Sequence, residues 1–385
     1  MQLKSGSRGV WAVAIVVLLL AACGSGDSQP GAVRLAITDA PACGFDQVNL
    51  TIERIRVHRD ADAGENASGW TDLRLNPSRR LDLLKLNNGV LEELGQLSLP
   101  AGRYAQLRLV LTANGSGTPA NSVLPGGGDE VALDVSGVQG GIRVAHQFSV
   151  AEEKVTDVLF DFDACRSVVP AGASGYVLRP AVKAIPRNGA TISGYVDAAL
   201  TGVAVSAQKS GTEIRATVAD ANGRFAIAFL DPANSPYDVV FVAAGRATAV
   251  VSSVPVSTSA GAELSRIDAP IVLPAATDRV VGGTVGPTAA RSSAVVRARQ
   301  VIGSAGEIEV RRASANSTTG GYSLSLPAAQ PRLAAFSTRL PLSFVAAGQA
   351  GRYVLSATAD GFVTQLETVD LTSSSLAWNV TLARQ

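Results

Sequence analysis

Histidines and the nucleophiles around them are the first residues in this sequence that could support catalysis. The chain has 385 residues and two histidines, His58 and His146, each within an alternating stretch that predicts a β-strand. A hydrolase needs a nucleophile, a base and a group that orients the base. Neither a Gly-x-Ser-x-Gly turn nor a His-Glu-x-x-His helix occurs. We therefore expect both histidines on strand surfaces and a protein that is not an enzyme.

The first cysteine follows the one strongly hydrophobic run of the chain. A basic start precedes thirteen apolar residues, Val10 to Ala22, which would span about 20 Å as a helix against about 30 Å for a membrane core. This pattern indicates a secretory signal peptide at residues 1–22. The motif Leu20-Ala21-Ala22-Cys23 resembles the bacterial lipobox, which implies cleavage before Cys23 and acylation of its thiol. An ordinary secreted protein with a chance cysteine is the alternative.

The lipid implied at Cys23 predicts where the protein is located. Residues 23–31 are polar and small and are expected to form a flexible tether. Several acyl chains anchor a protein stably, whereas one does so only marginally. Gly24 stands where, by resemblance to enterobacterial sorting, an aspartate would retain the protein at the inner membrane. We therefore expect a palmitate-bearing lipoprotein of the bacterial cell envelope, held at the outer membrane.

Two cysteines, Cys43 and Cys165, remain once Cys23 is acylated. In an oxidising envelope compartment, a lone pair of cysteines is most simply a disulfide. Closing a loop of this length contributes on the order of 4–5 kcal/mol in the chain-entropy model. Two buried free thiols are the alternative.

Carboxylates near these two cysteines are the candidate metal ligands. The aspartates concerned are Asp39, Asp46, Asp161 and Asp163. Bonded cysteines hold their Cα atoms within about 4.4–6.8 Å, so a disulfide would gather the four side chains at one end of a sandwich. Oxygen ligands from several turns suit Ca²⁺, the one possible cofactor. The alternative is that these aspartates cap turns by accepting hydrogen bonds from backbone N–H groups.

A second acidic segment, Asp60-Ala61-Asp62-Ala63-Gly64, is similar to the start of a calcium loop. Its twelfth position is Thr71, where an EF-hand needs a bidentate glutamate. An EF-hand is therefore excluded, and we expect a solvated hairpin loop.

Composition excludes nucleic acid as a partner. Without Lys4 and Arg8 of the leader, 31 basic residues stand against 32 acidic ones. The chain has no basic patch or basic run. Its mature length of about 360 residues predicts two or three domains.

The pattern of the chain downstream of the leader is all-β. Short β-branched or alternating runs recur between Gly, Pro, Asn and Asp, which predicts tandem antiparallel β-sandwiches of the Ig-like or transthyretin-like kind. In "VNLTIERIRVHR", apolar residues change parity after Ile52, so we expect a bulge near Arg54. Asn87-Asn88-Gly89 predicts a type I′ turn. The segment "VLEELGQLSL" is expected as a helical or irregular link.

The N-terminal part carries a family resemblance. In this order, "LAITDAP", "LDLLKLNNG", "LPAGRYAQLRLVL", "VLFDFDACRS" and "GYVLRPAVKAI" resemble the bacterial lipoprotein family called domain of unknown function 4382. The resemblance covers residues 32–187 and implies one larger sandwich in an envelope protein. The family supplies no activity to carry over.

The remaining chain repeats itself in two smaller units. Residues 188–275 carry "VADANGRFAIAFL" and "AAGRA", which resemble the carboxypeptidase regulatory-like domain, a transthyretin-like sandwich. Residues 276–385 read as a second, diverged copy with an insertion at 329–350, in which Gly321 matches Gly223. The resemblance implies no peptidase activity, because the zinc site of such enzymes lies in another domain.

Three functions follow from these patterns. The first is a lipid-anchored envelope protein that acts as a non-catalytic binding, adhesion or scaffold module toward an envelope protein or a glycan. The second is an accessory carbohydrate-binding subunit of an uptake or degradation system, which would need an exposed aromatic platform; outside the leader, Trp70 and Trp378 are the only tryptophans. The third is an enzyme with an unrecognised site.

Overall fold

The structure is a computed structural model that describes residues 29–39 and 44–385. The predicted signal peptide 1–22, the acylation site Cys23 and the cysteine Cys43 lie outside the described residues. Three successive units of β-structure fill the described part, and the expectation of an all-β chain of sandwiches is confirmed.

The first unit contains twelve strands and one short helix. The strands are β1 (Gly31–Asp39), β2 (Phe45–His58), β3 (Thr71–Asp82), β4 (Glu92–Leu99), β5 (Gly102–Leu111), β6 (Ser122–Pro125), β7 (Val131–Asp134), β8 (Ile142–Val150), β9 (Val155–Phe162), β10 (Val168–Ala171), β11 (Gly175–Leu178) and β12 (Val182–Ile185). Helix α1 spans Ala164–Ser167, and 3₁₀ turns occupy Leu83–Leu86 and Ser136–Val138.

Two sheets of the first unit pack around one core. One sheet has the order β12-β9-β1-β4, and the other runs β10-β11-β7-β6-β2-β5-β8 with β3 on β2. Most pairs are antiparallel, but β1 and β9 run parallel over eight residue pairs. A parallel pair needs a long crossover, which the seven strands between β1 and β9 supply. The first unit is therefore a mixed sandwich and not purely antiparallel.

Two local expectations in the first unit have different outcomes. The register of β2 shifts between Ile52 and Arg54 against both β3 and β5, which confirms the predicted bulge. The bulge lets Ile52 and Ile55 both face the core, where both are buried. The expectation of a helical or irregular link in "VLEELGQLSL" is wrong, because Glu92–Leu99 forms β4 beside β1. Pairing with β1 and burial of Leu94 and Leu99 override the helix preference of Glu and Leu.

The second and third units supply the remaining strands. The second unit has β13 (Ala190–Tyr195), β14 (Ala204–Lys209), β15 (Thr212–Val218), β16 (Arg224–Leu230), β17 (Tyr237–Val242), β18 (Ala249–Val254) and β19 (Ala262–Glu263), with a 3₁₀ turn at Pro232–Asn234. The third has β20 (Asp278–Gly286), β21 (Val295–Val301), β22 (Glu307–Ser314), β23 (Gly321–Pro327), β24 (Arg332–Ala335), β25 (Val345–Ala346), β26 (Arg352–Thr358), β27 (Gln365–Asp370), β28 (Leu376–Ala377) and β29 (Val380–Thr381), with α2 (Thr288–Arg291) and a 3₁₀ turn at Gly303–Ala305.

Residues 329–350 join the second and third units. Strand β24, from this insertion, pairs parallel with β18, and β25 pairs with β24. The result is one six-stranded sheet, β15-β14-β17-β18-β24-β25, built from both units. Phe336, Leu342 and Phe344 of the same insertion pack against the core of the second unit. The insertion therefore belongs to the third unit in sequence and to the second in structure.

The six-stranded sheet is covered on both faces. Val239 and Phe241 of β17 point into the core of the second unit, whereas Val240 and Val242 pack with the core of the third. This alternation follows from the two-residue period of a strand. It explains the continuous apolar run "VVFV" at residues 239–242, which is typical of a strand buried on both sides.

The tight turns of the repeat correspond with a shift of one residue. Gly223 and Gly320 both have positive φ, 75° and 78°, and their carbonyls accept from the N–H groups of Val196 and Val285. A Cβ added to Gly223 would lie 2.1 Å from the carbonyl oxygen of Val196, and one added to Gly320 would lie 2.4 Å from that of Val285. Gly320, and not Gly321, is thus the structural counterpart of Gly223, because the third unit's turn is one residue longer.

Candidate functional site

Neither histidine is part of a catalytic arrangement in residues 29–39 and 44–385. The ring nitrogens of His58, at the end of β2, lie 3.3 Å from the carbonyl oxygen of Asp60 and 2.9 Å from that of Ser68. Its ring packs on Trp70 at 4.9 Å between centroids. His146 lies in β8, and burial lowers its pKa. His58 thus holds the β2–β3 loop.

Side chains from the sheet also close the β2–β3 loop. Gln106 and Arg108 donate to the carbonyl of Ala63 at 3.2 and 2.9 Å. Asp62 is 88% exposed and pairs with Arg143 at 2.8 Å. The loop carbonyls that a cation would need already accept from side chains, so the predicted solvated hairpin loop is confirmed.

The two described tryptophans are both engaged. The guanidinium groups of Arg56 and Arg108 lie over the Trp70 ring, 4.7 and 5.2 Å from its centroid. Trp378 is partly buried against the core of the third unit. A sugar-stacking platform needs a free aromatic face, and neither ring is an open platform of that kind.

The four aspartates predicted to bind calcium have other partners. Asp39 accepts from the N–H of Ala164 at 3.0 Å, and Asp46 accepts from the N–H of Gly127 at 3.2 Å. The described part of the chain holds no group of three or more His, Cys, Asp or Glu side chains placed to bind a metal ion. The predicted four-aspartate cluster is therefore not formed there. Instead, these aspartates accept hydrogen bonds from backbone N–H groups or pair with cationic side chains.

Asp161 is half of a buried ion pair between the first and second units. Its Oδ1 lies 2.7 Å from Nη1 of Arg215, and the two side chains are only 8% and 6% exposed. Lys183 approaches the other carboxylate oxygen at 3.3 Å. The guanidinium of Arg215 also lies over the ring of Phe229. The Arg215 guanidinium thus supplies the positive charge beside Asp161, which the sequence made a candidate calcium ligand.

Asp163 lies at the same end of the first unit and caps α1. It accepts from the N–H of Arg166 at 2.9 Å and pairs with that guanidinium at 3.0 Å. Burial and, after it, the charge of the neighbouring Glu213 of the second unit together raise the pKa of Asp163 to about 6. Arg166 also reaches Glu213 at 3.5 Å, so one arginine joins carboxylates of two units.

Glu309 connects the third unit to the second. Its backbone N–H donates to Gln208 at 3.1 Å, and its carbonyl accepts from the same amide at 2.7 Å. Its buried carboxylate accepts from Arg312 at 2.5 Å. Asp163, Glu213 and Arg312, one from each unit, line a common cavity of about 150 Å³. We call this meeting point the three-unit junction.

Asn88 links the first unit to the second at another point. Its side-chain amide donates to the carbonyl of Val218 and accepts from the N–H of Ala226, each at 2.9 Å. The hydroxyl of Thr217 donates to the same amide oxygen at 2.9 Å. With φ of 54° and 81°, Asn88 and Gly89 have the positive values that the predicted type I′ turn requires.

The hairpin β10–β11 fastens the first unit to the third. Gly172 at its tip accepts from the side-chain amide of Asn316 at 2.7 Å and donates to Thr318 at 3.1 Å. The carbonyl of Pro170 accepts from the N–H of Ser317 at 2.9 Å. These three hydrogen bonds fix the hairpin against the long turn before β23.

Two clefts between the first and third units lie on opposite faces of this hairpin. Pro170 and Tyr176 line one cleft, of about 620 Å³, whereas Val169 and Val177 line the other, of about 520 Å³. Alternate residues of a strand face opposite sides, which accounts for the division. Both volumes are in the range of small-molecule sites. We call the larger one the aromatic cleft, because Phe45, Tyr176 and Tyr322 line it.

Cys165 lies in α1 beside Asp163 and is not a free thiol. Cys43, its predicted partner, is outside the described residues, so the Cys43–Cys165 disulfide stays a prediction.

Sequence reasoning missed Asn88, Arg215 and Glu309 as residues that join the units. A buried arginine in the apolar-flanked strand "EIRATV" was the one available signal, because a fully buried cation requires an anionic partner. Nothing in the sequence indicates which carboxylate supplies it.

A family model described as "Domain of unknown function (DUF4382)" matches residues 30–180. The predicted resemblance of the N-terminal unit is thereby confirmed. The resemblance of the two later units to the carboxypeptidase regulatory-like domain stays a prediction. No curated protein matches the chain.

Solved structures give weak matches. A chain of a type II cohesin–X-dockerin complex from Acetivibrio cellulolyticus is 28% identical over 23% of this chain, with a TM-score of 0.19. The match covers 59% of that structure, less than two thirds of its length. A streptococcal ancillary pilin is 10% identical over 92% of this chain and 99% of its own, with a TM-score of 0.19. The major pilin BcpA of Bacillus cereus is 11% identical over 93% and 100%, with a TM-score of 0.17. At TM-scores this low, the functions of these proteins do not transfer to this chain.

Within the described residues, no helix has the length and apolar character needed to cross a membrane.

Proposed function

We propose that the protein is a lipid-anchored component of the bacterial cell envelope, held at the outer membrane by acylated Cys23. Its three β-sandwich units would act together as one rigid, non-catalytic binding or scaffold module. The lipobox-like motif and the short apolar run before it support the anchor. The Cys43–Cys165 disulfide is part of the same proposal, since it needs an oxidising envelope compartment.

The observation that carries the module is the shared six-stranded sheet of the second and third units. Strand β24 adds four residue pairs to β18, and the insertion packs three large, partly buried apolar side chains against the second unit's core. Ordinary domain linkers leave neighbours free to move, whereas a shared sheet and a joint core do not. The ion pairs at the three-unit junction attach the first unit to this block. A rigid body of this kind suits the presentation of binding surfaces at a fixed distance from a membrane.

The anchor is tested in cells that make the full chain or its Cys23→Ser variant. We expect the full chain to incorporate labelled palmitate and to partition into the detergent phase of Triton X-114. Cys23→Ser should lose both properties, and Cys165→Ser is the matched control that should retain them. A wild-type chain that takes up no label and stays in the aqueous phase would overturn the proposal.

The module is tested by crosslinking in whole cells, with photoreactive residues placed on the exposed faces of the first and third units. Crosslinks to an envelope protein or to glycan support a binding module. Conversion of a substrate by purified protein, abolished by replacing a single acidic residue, would instead establish an enzyme.

A further inference from the structure

We infer that the aromatic cleft between the first and third units binds a neutral saccharide. This inference rests on the proposed binding function and names the ligand class of one site. The cleft has a volume of about 620 Å³, enough for a short oligosaccharide, and its walls come from two units.

Aromatic rings from both units line the cleft. Phe45 and Tyr176 of the first unit stand edge to face at 5.3 Å between centroids, and both are half-buried. Tyr322 of the third unit also lines the cleft, but it is only 8% exposed, because its ring packs in the core of that unit and its hydroxyl donates to the carbonyl of Trp378 at 2.6 Å. An aromatic face is electron-rich, and the C–H groups of a pyranose ring carry the complementary partial charge. Phe45 and Tyr176 therefore supply the accessible aromatic surface for the flat face of a sugar.

Hydroxyl groups supply the polar part of the cleft. Ser314 and Ser323 of the third unit line it beside Tyr176. None of these three hydroxyls has a hydrogen-bond partner among the described residues, and none is sealed from solvent. Each is thus available to donate to a ligand and to accept from it. Small groups with both capacities match the hydroxyls of a sugar better than they match an apolar ligand.

Charge at the cleft excludes an anionic ligand as the preferred one. Among the described residues that line the cleft, Arg312 is the one charged residue, and its guanidinium is paired with the buried carboxylate of Glu309. A phosphate or an acidic glycan would have to compete with that carboxylate for the guanidinium. A neutral saccharide requires no such exchange, and its polar groups are matched by hydroxyls.

The walls of the cleft are fixed before any ligand arrives. The hairpin β10–β11, which carries Pro170 and Tyr176, is held to the third unit by Asn316, Ser317 and Thr318. A preformed site loses less conformational entropy on binding than one assembled by the ligand. The same hydrogen bonds fix the spacing between the two walls.

The test is calorimetric titration of residues 24–385, which contain every described element, after a glycan array has selected the probe. The array carries neutral glucans, mannans, galactans and xylans together with uronate-containing and sialylated glycans. We expect selective binding of a neutral oligosaccharide, at least tenfold weaker in Tyr176→Ala and less affected in Tyr176→Phe, which keeps the ring. Trp70→Ala, which removes an aromatic side chain outside the cleft, should bind within twofold of wild type.

A second variant keeps the test decisive if Tyr176→Ala fails to fold. Ser323→Trp places a large side chain in the cleft from an exposed position of β23 and should also abolish binding. Binding that survives Ser323→Trp, binding of acidic glycans alone, or no binding to any glycan on the array would each overturn the inference. The proposed anchored module is judged separately by palmitate labelling and by crosslinking to a protein partner, so its failure and that of the saccharide site are distinguishable.

Discussion

Replacing Arg215 by methionine removes the cation from the most deeply buried ion pair between two units. Methionine keeps much of the aliphatic length of arginine, so the change is mainly one of charge. Asp161 is left as a carboxylate that is 8% exposed, and its remaining cationic partner is the half-exposed Lys183 at 3.3 Å. Breaking one side of a buried ion pair costs about 3–5 kcal/mol. With Lys183 still present, we expect Arg215→Met to lower the free energy of unfolding by about 2–4 kcal/mol.

A double-mutant cycle separates the pair from the packing around it. Asp161→Asn in the Arg215→Met background removes the stranded charge, so the double variant should recover about 1–2 kcal/mol relative to Arg215→Met alone. Arg34→Met is the matched control, because Arg34 pairs with Asp157 at 2.6 Å in a more exposed position. Solvent screens such an exposed pair, so Arg34→Met should change the free energy of unfolding much less than Arg215→Met does.

The assay is urea unfolding of residues 24–385, followed by far-ultraviolet circular dichroism and by tryptophan fluorescence. The fluorescence comes from Trp70 in the first unit and Trp378 in the third, whereas circular dichroism reports on all three units. If the junction joins the units into one body, the unfolding transitions followed by fluorescence and by circular dichroism should coincide. An Arg215→Met variant no less stable than Arg34→Met would refute the reasoning. The reasoning would also be refuted if the double variant lost as much free energy of unfolding as Arg215→Met and Asp161→Asn lose together.

Three further predictions concern the junction and its neighbours. Because the folded pKa of Asp163 is about 6 and its ordinary value is 3.8, the native state holds this proton more tightly, and its contribution to stability is lost as pH rises through the folded value. Urea unfolding between pH 4.5 and 7.5 should therefore show wild type losing about 2 kcal/mol relative to Asp163→Asn, which keeps the helix cap but does not titrate. A constant difference between the two across this range would contradict the reasoning. Asn88→Gly keeps the positive φ but removes three hydrogen bonds to the second unit, so we expect a loss of about 2–3 kcal/mol in the same assay, and an unchanged midpoint would show that those bonds contribute nothing. Finally, residues 24–385 purified without reductant and denatured should give no reaction with Ellman's reagent, whereas Cys43→Ser should expose one thiol at Cys165; two reactive thiols in the unmodified chain would exclude the disulfide.

The strand pattern of this chain could be predicted because it follows from local physical chemistry. The parity change in β2 predicted the bulge at Arg54, since apolar residues on both sides of a kink must still reach one core. The segment of β4 was predicted wrongly because its residues favour a helix when they are considered alone. Its pairing partner β1 is about 60 residues away along the chain, so no local pattern contains that contact.

The candidate site was harder to predict than the fold. The sequence drew attention to the aspartates around Cys165, and Asp161 and Asp163 do lie at the meeting point of units. Their partners Arg215 and Glu213 come from the second unit, which the sequence treats as a separate domain. A calcium site was one of two interpretations of these aspartates, the other being that they cap turns, and the cations that pair with them could not be identified from spacing.

By itself, the sequence determined the all-β character of the chain, the division into one larger and two smaller β-units and the predicted leader before Cys23. These properties depend on the order of apolar, turn-forming and small residues along a few consecutive positions. Tertiary structure alone decided that residues 329–350 complete the sheet of the preceding unit, that Asn88 and Arg215 join units, and that two clefts flank the β10–β11 hairpin. Such contacts depend on which surfaces meet after folding, and residues far apart in the chain carry no mutual signal in a single sequence.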